Sequence, residues 1–281
     1  MFSIITVNFK SSDRLSMLLE SLVRFEQQNL YELIVVNNDK DDDLAALKAR
    51  YPHVIWVEPL WNIGFGSACN LGRSKAKGDT LIFANPDIVW TEPILAELER
   101  TIKRQTGIGI WGIRQTNDDG TLQPSIRHFP RPTDLFLLLL KLPTFFPSLH
   151  RRWLWENFDY QKEQSIEQVM GAFLVMRTVA FDEIAGFDPW FFLWYEEVDL
   201  CKRASIAGWG IRYLPGLSVR HGKGKSFARV GTWRKQAYVR KSIRRYARKH
   251  FHWMVWPWFY IGEPVFLCAS LVVSALARKR I

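Results

Sequence analysis

The chain has 281 residues, of which 48% are hydrophobic, enough for one large α/β domain or two smaller ones. Its three cysteines, Cys69, Cys201 and Cys268, lie far apart and form no CxxC pair. This spacing argues against a disulfide framework or a zinc site and favours a reducing compartment. Residues 1–199 hold 20 Lys and Arg against 27 Asp and Glu, whereas residues 200–281 hold 18 against one. We therefore expect an acidic globular body and a basic region that faces an anionic partner, either nucleic acid or a membrane surface.

The first hundred residues alternate between strand and helix patterns. The N-terminal run SIITVNF has no basic residues before it, and it predicts a first strand rather than a secretory signal. Further strands are predicted in YELIVVNND, VIWVEP and GDTLIFANPD, and helices in RLSMLLESLVRF, ALKARY and GFGSACNLGRSKA. The alternation predicts a mainly parallel sheet with helices on both faces, in which ligands bind at the carboxyl ends of the strands.

Polar residues gather at three of these predicted strand ends. They are Asn8, residues 37–39 and residues 85–87, which is where a nucleotide would bind in such a sheet. The glycines of GFGSACN, Gly64 and Gly66, have GxG spacing, but Cys69 stands where a dinucleotide fingerprint needs its third glycine, so that interpretation is weak.

The middle of the chain is harder to interpret. The apolar segment DLFLLLLKLPTFFP is too short before Pro143 to span a bilayer, so a core helix and a membrane-facing or acceptor-facing element both remain open. After it, QVMGAFLVMR predicts a strand and TVAFDEIAGF a short helix and turn. EEVDLCKRASIAGW predicts an amphipathic helix that ends at Gly208, and IRYLPGLSVRHGKGKS a strand followed by a glycine-rich loop.

The C-terminal region changes character. Residues 232–252 predict a basic amphipathic helix, typical of a membrane surface, with an apolar stripe of Val239, Ile243, Tyr246, Ala247 and Phe251. The Trp-rich segment 253–277 follows, and its uninterrupted part, 265–277, would be only about 20 Å long as a helix. Because a hydrocarbon core is roughly 30 Å thick, we expect a monotopic, in-plane or re-entrant segment. So many apolar residues argue against nucleic acid as the partner.

Three carboxylates lie directly behind an aromatic cluster in the segment WYEEVDL. Glu196, Glu197 and Asp199 follow Phe191, Phe192 and Trp194. Acidic residues at the start of a helix interact favourably with the helix dipole, and this interaction explains one or two of the three. A carboxylate beside aromatic rings is partly desolvated, which raises its pKa towards the working pH of a general base.

Seven segments, taken in order, resemble the inverting family-2 glycosyltransferases with a GT-A fold, and most of all the rhamnosyltransferase-like branch of bacterial surface polysaccharide synthesis. They are SIITVNFKSSDRL, ELIVVNND, NIGFGSACNLGRSKAKGD, LIFANPD, GAFLVMR, GFDPWFFLWYEEVDLCKRASIAGW and VRHGKGKS. The resemblance implies a GT-A domain over 1–226, with a nucleotide-binding half (1–100) and an acceptor-binding half (101–226). Residues 227–281 are then expected to form a basic and Trp-rich membrane-association region.

The resemblance also implies a metal site and a catalytic base. Asp87 stands at the second acid of the family's DxD motif, with Asn85 at the first, and His221 matches a position where relatives supply an imidazole. These residues are expected to hold Mg²⁺ or Mn²⁺, which neutralises the leaving diphosphate. Glu197 matches the catalytic base, and Glu196 and Asp199 are expected to support it. Which of these three acids is the base stays open at the level of the sequence, with Asp199 as the alternative to Glu197.

Other positions are assigned to the two substrates. Asn37 replaces the usual Asp that contacts the nucleotide base, and Asp39 is expected to share that role. The other positions expected to bind the donor are Thr6, Asn8, Asn62, Gly64, Arg73, Asp79, Asn85, Lys223 and Lys225. Trp190, Trp194 and Gly171 are expected to face the acceptor or a sugar.

The expected reaction is transfer of a sugar, L-rhamnose from dTDP-rhamnose, to a polyprenyl-diphosphate-linked or glycan acceptor. The enzyme is expected at the cytoplasmic face of the bacterial inner membrane, held by anionic headgroups. UDP-galactofuranose, UDP-glucose and UDP-N-acetylhexosamine remain open as donors. A nucleic-acid-binding protein and a non-catalytic scaffold of the same fold are the alternatives from other classes.

Overall fold

A mixed sheet forms the centre of the protein, in a computed structural model that describes residues 1–222 and 232–278. The strands are β1 (Phe2–Asn8), β2 (Tyr31–Asn37), β3 (Ile55–Val57), β4 (Thr80–Ala84), β5 (Ile88–Trp90), β6 (Ile108–Thr116), β7 (Ile126–Arg127), β8 (Gln164–Ser165), β9 (Gln168–Val169), β10 (Phe173–Arg177) and β11 (Gly210–His221). The main sheet has the order β3-β2-β1-β4-β10-β6-β11-β5, with β8 beside β11, and β7 pairs with β9 separately.

Helices cover both faces of this sheet. They are α1 (Ser12–Phe25), α2 (Ala45–Arg50), α3 (Phe65–Arg73), α4 (Leu95–Arg104), α5 (Pro132–Leu139), α6 (Thr178–Glu183), α7 (Glu196–Ile206), α8 (Thr232–His250), α9 (Trp258–Ile261) and α10 (Glu263–Arg278), with 3₁₀ turns at Gln28–Leu30, Leu142–Thr144 and Pro147–His150. Leu15 of α1 and Leu98 of α4 are buried in the core on one face. Ala68 of α3, Phe181 of α6 and Leu200 of α7 are buried in the core on the other.

The sheet departs from the prediction of a mainly parallel arrangement. β1, β2, β3 and β4 are parallel to one another, as predicted, but β10 enters between β4 and β6 antiparallel to both. In this direction Phe173, at the start of β10, lies opposite Ala84, at the end of β4. The loop before β10, which contains Gly171, therefore reaches the edge where the parallel strands end.

The apolar stripe of α8 packs against the rest of the protein, so the prediction that this stripe faces a membrane is wrong. Ile243, Tyr246 and Ala247 are fully buried in a third core. The members of this core are Leu135, Leu139, Phe191, Tyr195, Val198, Ile243, Tyr246, Ala247, Phe259 and Phe266. Burying these side chains against α5 and α7 removes more apolar surface from water than leaving the helix on the outside. The segment DLFLLLLKLPTFFP thus contributes to a core through α5.

Several cations of α8 are paired within the chain. Arg240 and Arg244 contact the two oxygens of Glu263 at 3.0 and 2.6 Å, and Arg245 and Lys249 contact Asp188 at 3.1 and 2.9 Å.

Within residues 1–222 and 232–278, no helix combines the length and the apolar character needed to cross a membrane.

Candidate active site

The ends of β1 and β2 carry a connected set of polar side chains. Asn8 lies opposite Asn37 in the register of the two strands, and its amide donates to Asn37 Oδ1 at 3.0 Å and to Asp42 Oδ2 at 2.9 Å. Asn37 therefore uses its oxygen within the chain. Thr6, on the same face of β1 as Asn8, has a buried hydroxyl with no hydrogen-bond partner among the described residues. Asp39 is almost fully buried just beyond the end of β2.

Asn38, the residue directly after β2, holds the loop that leads into α3. Its amide donates to Asn62 Oδ1 at 2.9 Å, and its oxygen accepts from the backbone of Ile63 at 3.0 Å. Gly64 follows with φ of +85°, and a Cβ there would lie 2.5 Å from the carbonyl oxygen of Phe192. Only glycine fits this position, so the loop of residues 62–64 is in direct backbone contact with the aromatic segment before α7.

The two predicted metal ligands are neighbours. His221 lies beside Ile88 in the pairing of β11 with β5, and its Nε2 is 3.3 Å from Asp87 Oδ1. Gln123 Oε1 accepts from His221 Nδ1 at 2.6 Å, which leaves Nε2 directed at Asp87. Two ligands of an octahedral ion with bonds of about 2.1 Å lie about 3 Å apart, so the pair fits one divalent cation. Asn85 lies at the end of β4, two residues before Asp87, with its backbone N–H bonded to Ala172.

No group of three or more His, Cys, Asp or Glu side chains in the described part of the chain could hold a metal ion. The protein would thus supply two ligands, and water and phosphate oxygens the others, as is usual for Mg²⁺ at phosphate-transfer sites.

Glu197 is the second residue of α7 and lies next to the loop before β10. A Cβ on Gly171 would lie 3.3 Å from Glu197 Cβ, so the missing side chain leaves room for the carboxylate. Oε2 of Glu197 is buried without a hydrogen-bond partner in the described residues. Burial raises the pKa of Glu197, and the backbone N–H of Glu197, the charge of Arg127 and the backbone N–H groups of Val198 and Gly171 oppose that rise. A carboxylate with a raised pKa and a free oxygen is suited to accept a proton.

Glu196 points to a different part of the protein. Its Cβ lies 3.5 Å from where a side chain on Gly66 would begin, which places it against α3. Burial, and after it the charge of Glu197, raise the pKa of Glu196 well above its ordinary value. The two adjacent acids therefore face different sides of α7, and Glu197 is the one beside Gly171.

A turn with a strained backbone, at residues 194–195, directly precedes Glu196 and Glu197. Trp194 and Tyr195 have φ of +63° and +68°, in the left-handed region that non-glycine residues rarely occupy. Each such residue costs on the order of 1–3 kcal/mol. The bond from Phe65 N–H to the Phe192 carbonyl, 3.0 Å long, and burial of Tyr195 in the third core hold this turn.

A cavity of about 290 Å³ opens beside Glu197. Its lining residues are Arg127, Leu138, Leu139, Lys141, Trp153, Gln168, Met170, Trp194, Tyr195, Glu197, Val198, Gln236, Val239 and Arg240. Trp194, which the sequence predicts to face the acceptor or a sugar, therefore lines the cavity that contains Glu197. Trp190 does not line the cavity: it is exposed, and the guanidinium of Arg245 lies 5.6 Å from its ring centre.

Asp199 does not support the base as predicted. It is fully buried and contacts Arg203, Lys249 and His250 at 2.7, 2.8 and 2.7 Å. Burial alone would raise the pKa of Asp199, but the hydrogen bond from His250 and the charges of Arg203 and Lys249 lower it to about 2. One helical turn brings Asp199 to the α8 side of α7, so this carboxylate joins the two helices and stays ionised.

Two predicted donor residues lie at the opposite edge of the sheet. Arg73 ends α3 and pairs with Asp182 at 2.7 Å, and Asp79 precedes β4 and contacts the N-terminal amine at 3.3 Å. A helix that starts at the carboxyl edge of a parallel sheet ends at the amino edge, so their predicted contact with the nucleotide is corrected. Lys223 and Lys225 lie outside the described residues.

Several residues around Glu197 and His221 were not predicted. Gln123, Arg127, Lys141 and Arg240 come from a loop, a two-residue strand, the turn after α5 and the middle of α8. None belongs to a local motif that marks a site, and tertiary packing alone brings them together.

Comparison with known proteins shows the family to which the chain belongs. The model of the family described as glycosyl transferase family 2 matches residues 3–169. The chain is 27% identical to N-acetylglucosaminyl-diphospho-decaprenol L-rhamnosyltransferase of Mycobacterium tuberculosis (strain CDC 1551 / Oshkosh), over 99% of this chain and 94% of that protein. It is 23% identical to rhamnosyltransferase WbbL of Escherichia coli (strain K12), over 89% and 94% of the two.

Among solved structures, mannosyltransferase PcManGT of Pyrobaculum calidifontis, in complex with GDP-Man and Mn²⁺, matches with a TM-score of 0.56 and 13% identity. That match covers 99% of this chain and 75% of the other and shows a shared fold. The family match, the relatives and the paired strand ends agree, and the chain belongs to glycosyltransferase family 2 and is a glycosyltransferase.

Proposed function

We propose that the protein is an inverting, metal-dependent rhamnosyltransferase. It transfers L-rhamnose from dTDP-rhamnose to a polyprenyl-diphosphate-linked or glycan acceptor in the synthesis of a cell-surface polysaccharide of the O-antigen or capsule type. The observation that carries this proposal is Glu197, whose unpartnered carboxylate oxygen lies at a cavity separate from the Asp87–His221 pair. The two rhamnosyltransferases among its relatives supply the sugar and the acceptor class.

The residues divide the reaction between two sides. Glu197 accepts the proton of the acceptor hydroxyl as that oxygen attacks the anomeric carbon. Asp87 and His221 would hold a divalent cation, which when bound neutralises the diphosphate that leaves. Trp194 offers an aromatic face at the cavity for the acceptor sugar. The loop of Asn62 and Gly64, held by hydrogen bonds from Asn38, would contact the donor.

Donor binding tests the proposal without any acceptor. We expect dTDP-rhamnose at about 100 times its Kd to raise the Tm by roughly 5 °C in the presence of Mn²⁺, since such saturation stabilises by about 2.7 kcal/mol. EDTA should remove most of this protection. Asp87→Asn should lose it too, whereas Asp79→Asn, at the opposite edge, should keep it. Stronger protection by UDP-galactofuranose, UDP-glucose or UDP-N-acetylglucosamine would reassign the donor, and no protection by any of them would refute the function.

Attachment to an anionic membrane surface is part of the proposal. The segment 253–265 exposes a row of large apolar side chains, namely Trp253, Met254, Trp258, Tyr260, Ile261 and Val265. Trp and cations together favour the interface between headgroups and acyl chains. The active site would then meet its lipid-borne acceptor at the cytoplasmic face of the inner membrane.

Two substitutions test this attachment. We expect Trp253→Ser combined with Trp258→Ser to lower binding to phosphatidylglycerol-containing vesicles at least about tenfold, since each buried aromatic side chain contributes roughly 1.5–3 kcal/mol. Vesicle co-sedimentation measures the change. Ile206→Ser is the control, because Ile206 is 69% exposed at the far end of α7. Equal binding by the double variant and the wild type would exclude this segment as the attachment site.

A further inference from the structure

The cavity beside Glu197 is lined by buried hydrogen-bond donors that have no partner. Arg240 is only 7% exposed, and its Nη1 makes no hydrogen bond within the described residues, although its Nε bonds Glu263 at 3.0 Å. Trp153 Nε1 and Tyr195 Oη are also buried and without a partner in that part of the chain. Each unsatisfied buried group costs about 1–3 kcal/mol. Three such donors around one cavity indicate a ligand rich in acceptor oxygens.

The charges around the cavity indicate that this ligand is an anion. Arg127 and Lys141 line it with Arg240. The guanidinium of Arg127 lies 5.4 Å from the ring centre of Trp153, and within residues 1–222 and 232–278 no carboxylate forms an ion pair with Arg127 or Lys141. Burial lowers the pKa of Lys141, and the charge of Arg240 adds to the effect. Glu197 is the one carboxylate among the lining residues, against three cations. Arg240 shares Glu263 with Arg244, so four cations stand against two carboxylates and a net charge of +2 remains. A compact ligand with two negative charges would balance it.

We propose that this cavity binds the diphosphate of the lipid-linked acceptor, through Arg127, Lys141 and Arg240. The inference rests on the proposed function, because it takes the acceptor to be a diphosphate-linked lipid. Arginine and lysine are the usual phosphate ligands in proteins. Trp153 and Tyr195 add neutral donors to the same oxygens.

The donor nucleotide has a diphosphate as well, but its expected place is elsewhere. Asp87 directly precedes β5 and His221 ends β11, and neither lines this cavity. Glu197 must reach the acceptor hydroxyl, so the acceptor sugar lies beside Glu197. The diphosphate attached to that sugar then lies in the cavity that Glu197 lines. Arg127 also acts on Glu197 through its charge, which makes Lys141 the better residue for testing diphosphate binding alone.

The apolar lining continues towards a lipid. Leu138, Leu139 and Val239 border the cavity beside Lys141. The chain then passes from Lys141 through the 3₁₀ turn Leu142–Thr144 to Phe145 and Phe146, which are exposed. A prenyl chain leaving the diphosphate would meet apolar side chains at the cavity, and Phe145 and Phe146 offer further apolar surface four and five residues after Lys141.

Binding of farnesyl diphosphate tests the site independently of catalysis. By isothermal titration calorimetry we expect Lys141→Gln to weaken binding about tenfold or more, because a charge-assisted hydrogen bond to a partly buried anion is lost. Lys141→Arg should retain most of the affinity. Lys241→Gln, an exposed lysine of α8, should bind as the wild type does. Saturating dTDP should leave the affinity unchanged, because the two diphosphates occupy separate sites.

Three results would overturn the inference. They are absence of farnesyl diphosphate binding to the wild type, equal binding by Lys141→Gln, and competition between farnesyl diphosphate and dTDP, which would assign the diphosphate to the donor site.

A second readout separates this inference from the proposed function. With prenyl-diphosphate-linked N-acetylglucosamine as acceptor, Lys141→Gln should raise the acceptor KM about tenfold and leave the donor KM unchanged. With the neutral prenyl glycoside, which lacks the diphosphate, the same variant should match the wild type. Equal losses with both acceptors would refute the diphosphate contact. If no donor is transferred to any acceptor, the proposed function fails while the calorimetry still decides the diphosphate site.

Discussion

Replacing Glu197 by Gln is expected to lower kcat by about 10²–10⁴, the usual contribution of a positioned general base. The amide has nearly the same shape as the carboxylate but cannot accept the proton of the acceptor hydroxyl. Folding and protection by the donor should be unchanged, because no hydrogen bond to Glu197 Oε2 is lost in the described structure. Steady-state kinetics with a diphosphate-linked acceptor measure the effect.

The neighbouring acid supplies the control. Glu196→Gln alters the carboxylate against α3 and is expected to keep kcat within about tenfold of the wild type. The base must be ionised to accept a proton, so activity of the wild type should be present above the pKa of Glu197 and fall as the pH drops through that pKa. Because burial raises this pKa, the fall should occur at a higher pH than for an ordinary glutamate. Unchanged transfer by Glu197→Gln, or a larger loss with Glu196→Gln, would assign the base to another group.

Asp199→Asn is expected to destabilise the protein by about 3–5 kcal/mol, since removing one partner of a buried ion pair leaves the others uncompensated. Lys249 and His250 of α8 would then face a neutral amide beneath the helix that carries Glu197. We expect a lower Tm by calorimetry together with lost activity, because α8 both anchors α7 and lines the cavity. Asp182→Asn, which breaks the exposed pair with Arg73, should cost about 1 kcal/mol or less.

The dependence of the free energy of unfolding on pH also tests the contribution of Asp199 to stability. The pKa of Asp199 is lowered to about 2 in the folded protein, against roughly 3.9 in an unfolded chain. Its ionisation therefore contributes on the order of 2 kcal/mol above pH 4, and this contribution is lost as the pH falls towards 2. A variant Asp199→Asn as stable as the wild type at pH 7 would show that the pair does not hold the helices together.

The sequence predicted those parts of the site that follow from strand ends. Asp87 and His221 were assigned to one metal from two distant segments, and the pairing of β5 with β11 brings them to 3.3 Å. The sequence predicts Gly171 to face the acceptor or a sugar and Glu197 to be the base, and the two residues are neighbours in the structure. The family assignment is confirmed by the match over residues 3–169. The metal and substrate roles of these residues stay predictions.

Other features depend on packing that local patterns do not encode. A basic amphipathic helix such as α8 has the same sequence pattern whether its apolar stripe meets lipid or a protein core, and here Ile243 and Tyr246 meet a core. Arg73 and Asp79 belong to family-like segments, but the direction of α3 and β4 carries them to the other edge. The cations of the cavity, Arg127, Lys141 and Arg240, come from three elements that share no motif.

The proposed inverting transfer is tested most directly by following the reaction by NMR. Purified full-length protein, dTDP-rhamnose, Mn²⁺ and a short-chain prenyl-diphosphate-linked N-acetylglucosamine are combined, and the new glycosidic linkage is observed at its anomeric proton. We predict a rhamnosylated product whose anomeric configuration is opposite to that of the donor, formed by the wild type and at least about a hundredfold more slowly by Glu197→Gln. A product with retained configuration, or the absence of transfer by the folded, donor-binding wild type, would contradict this mechanism.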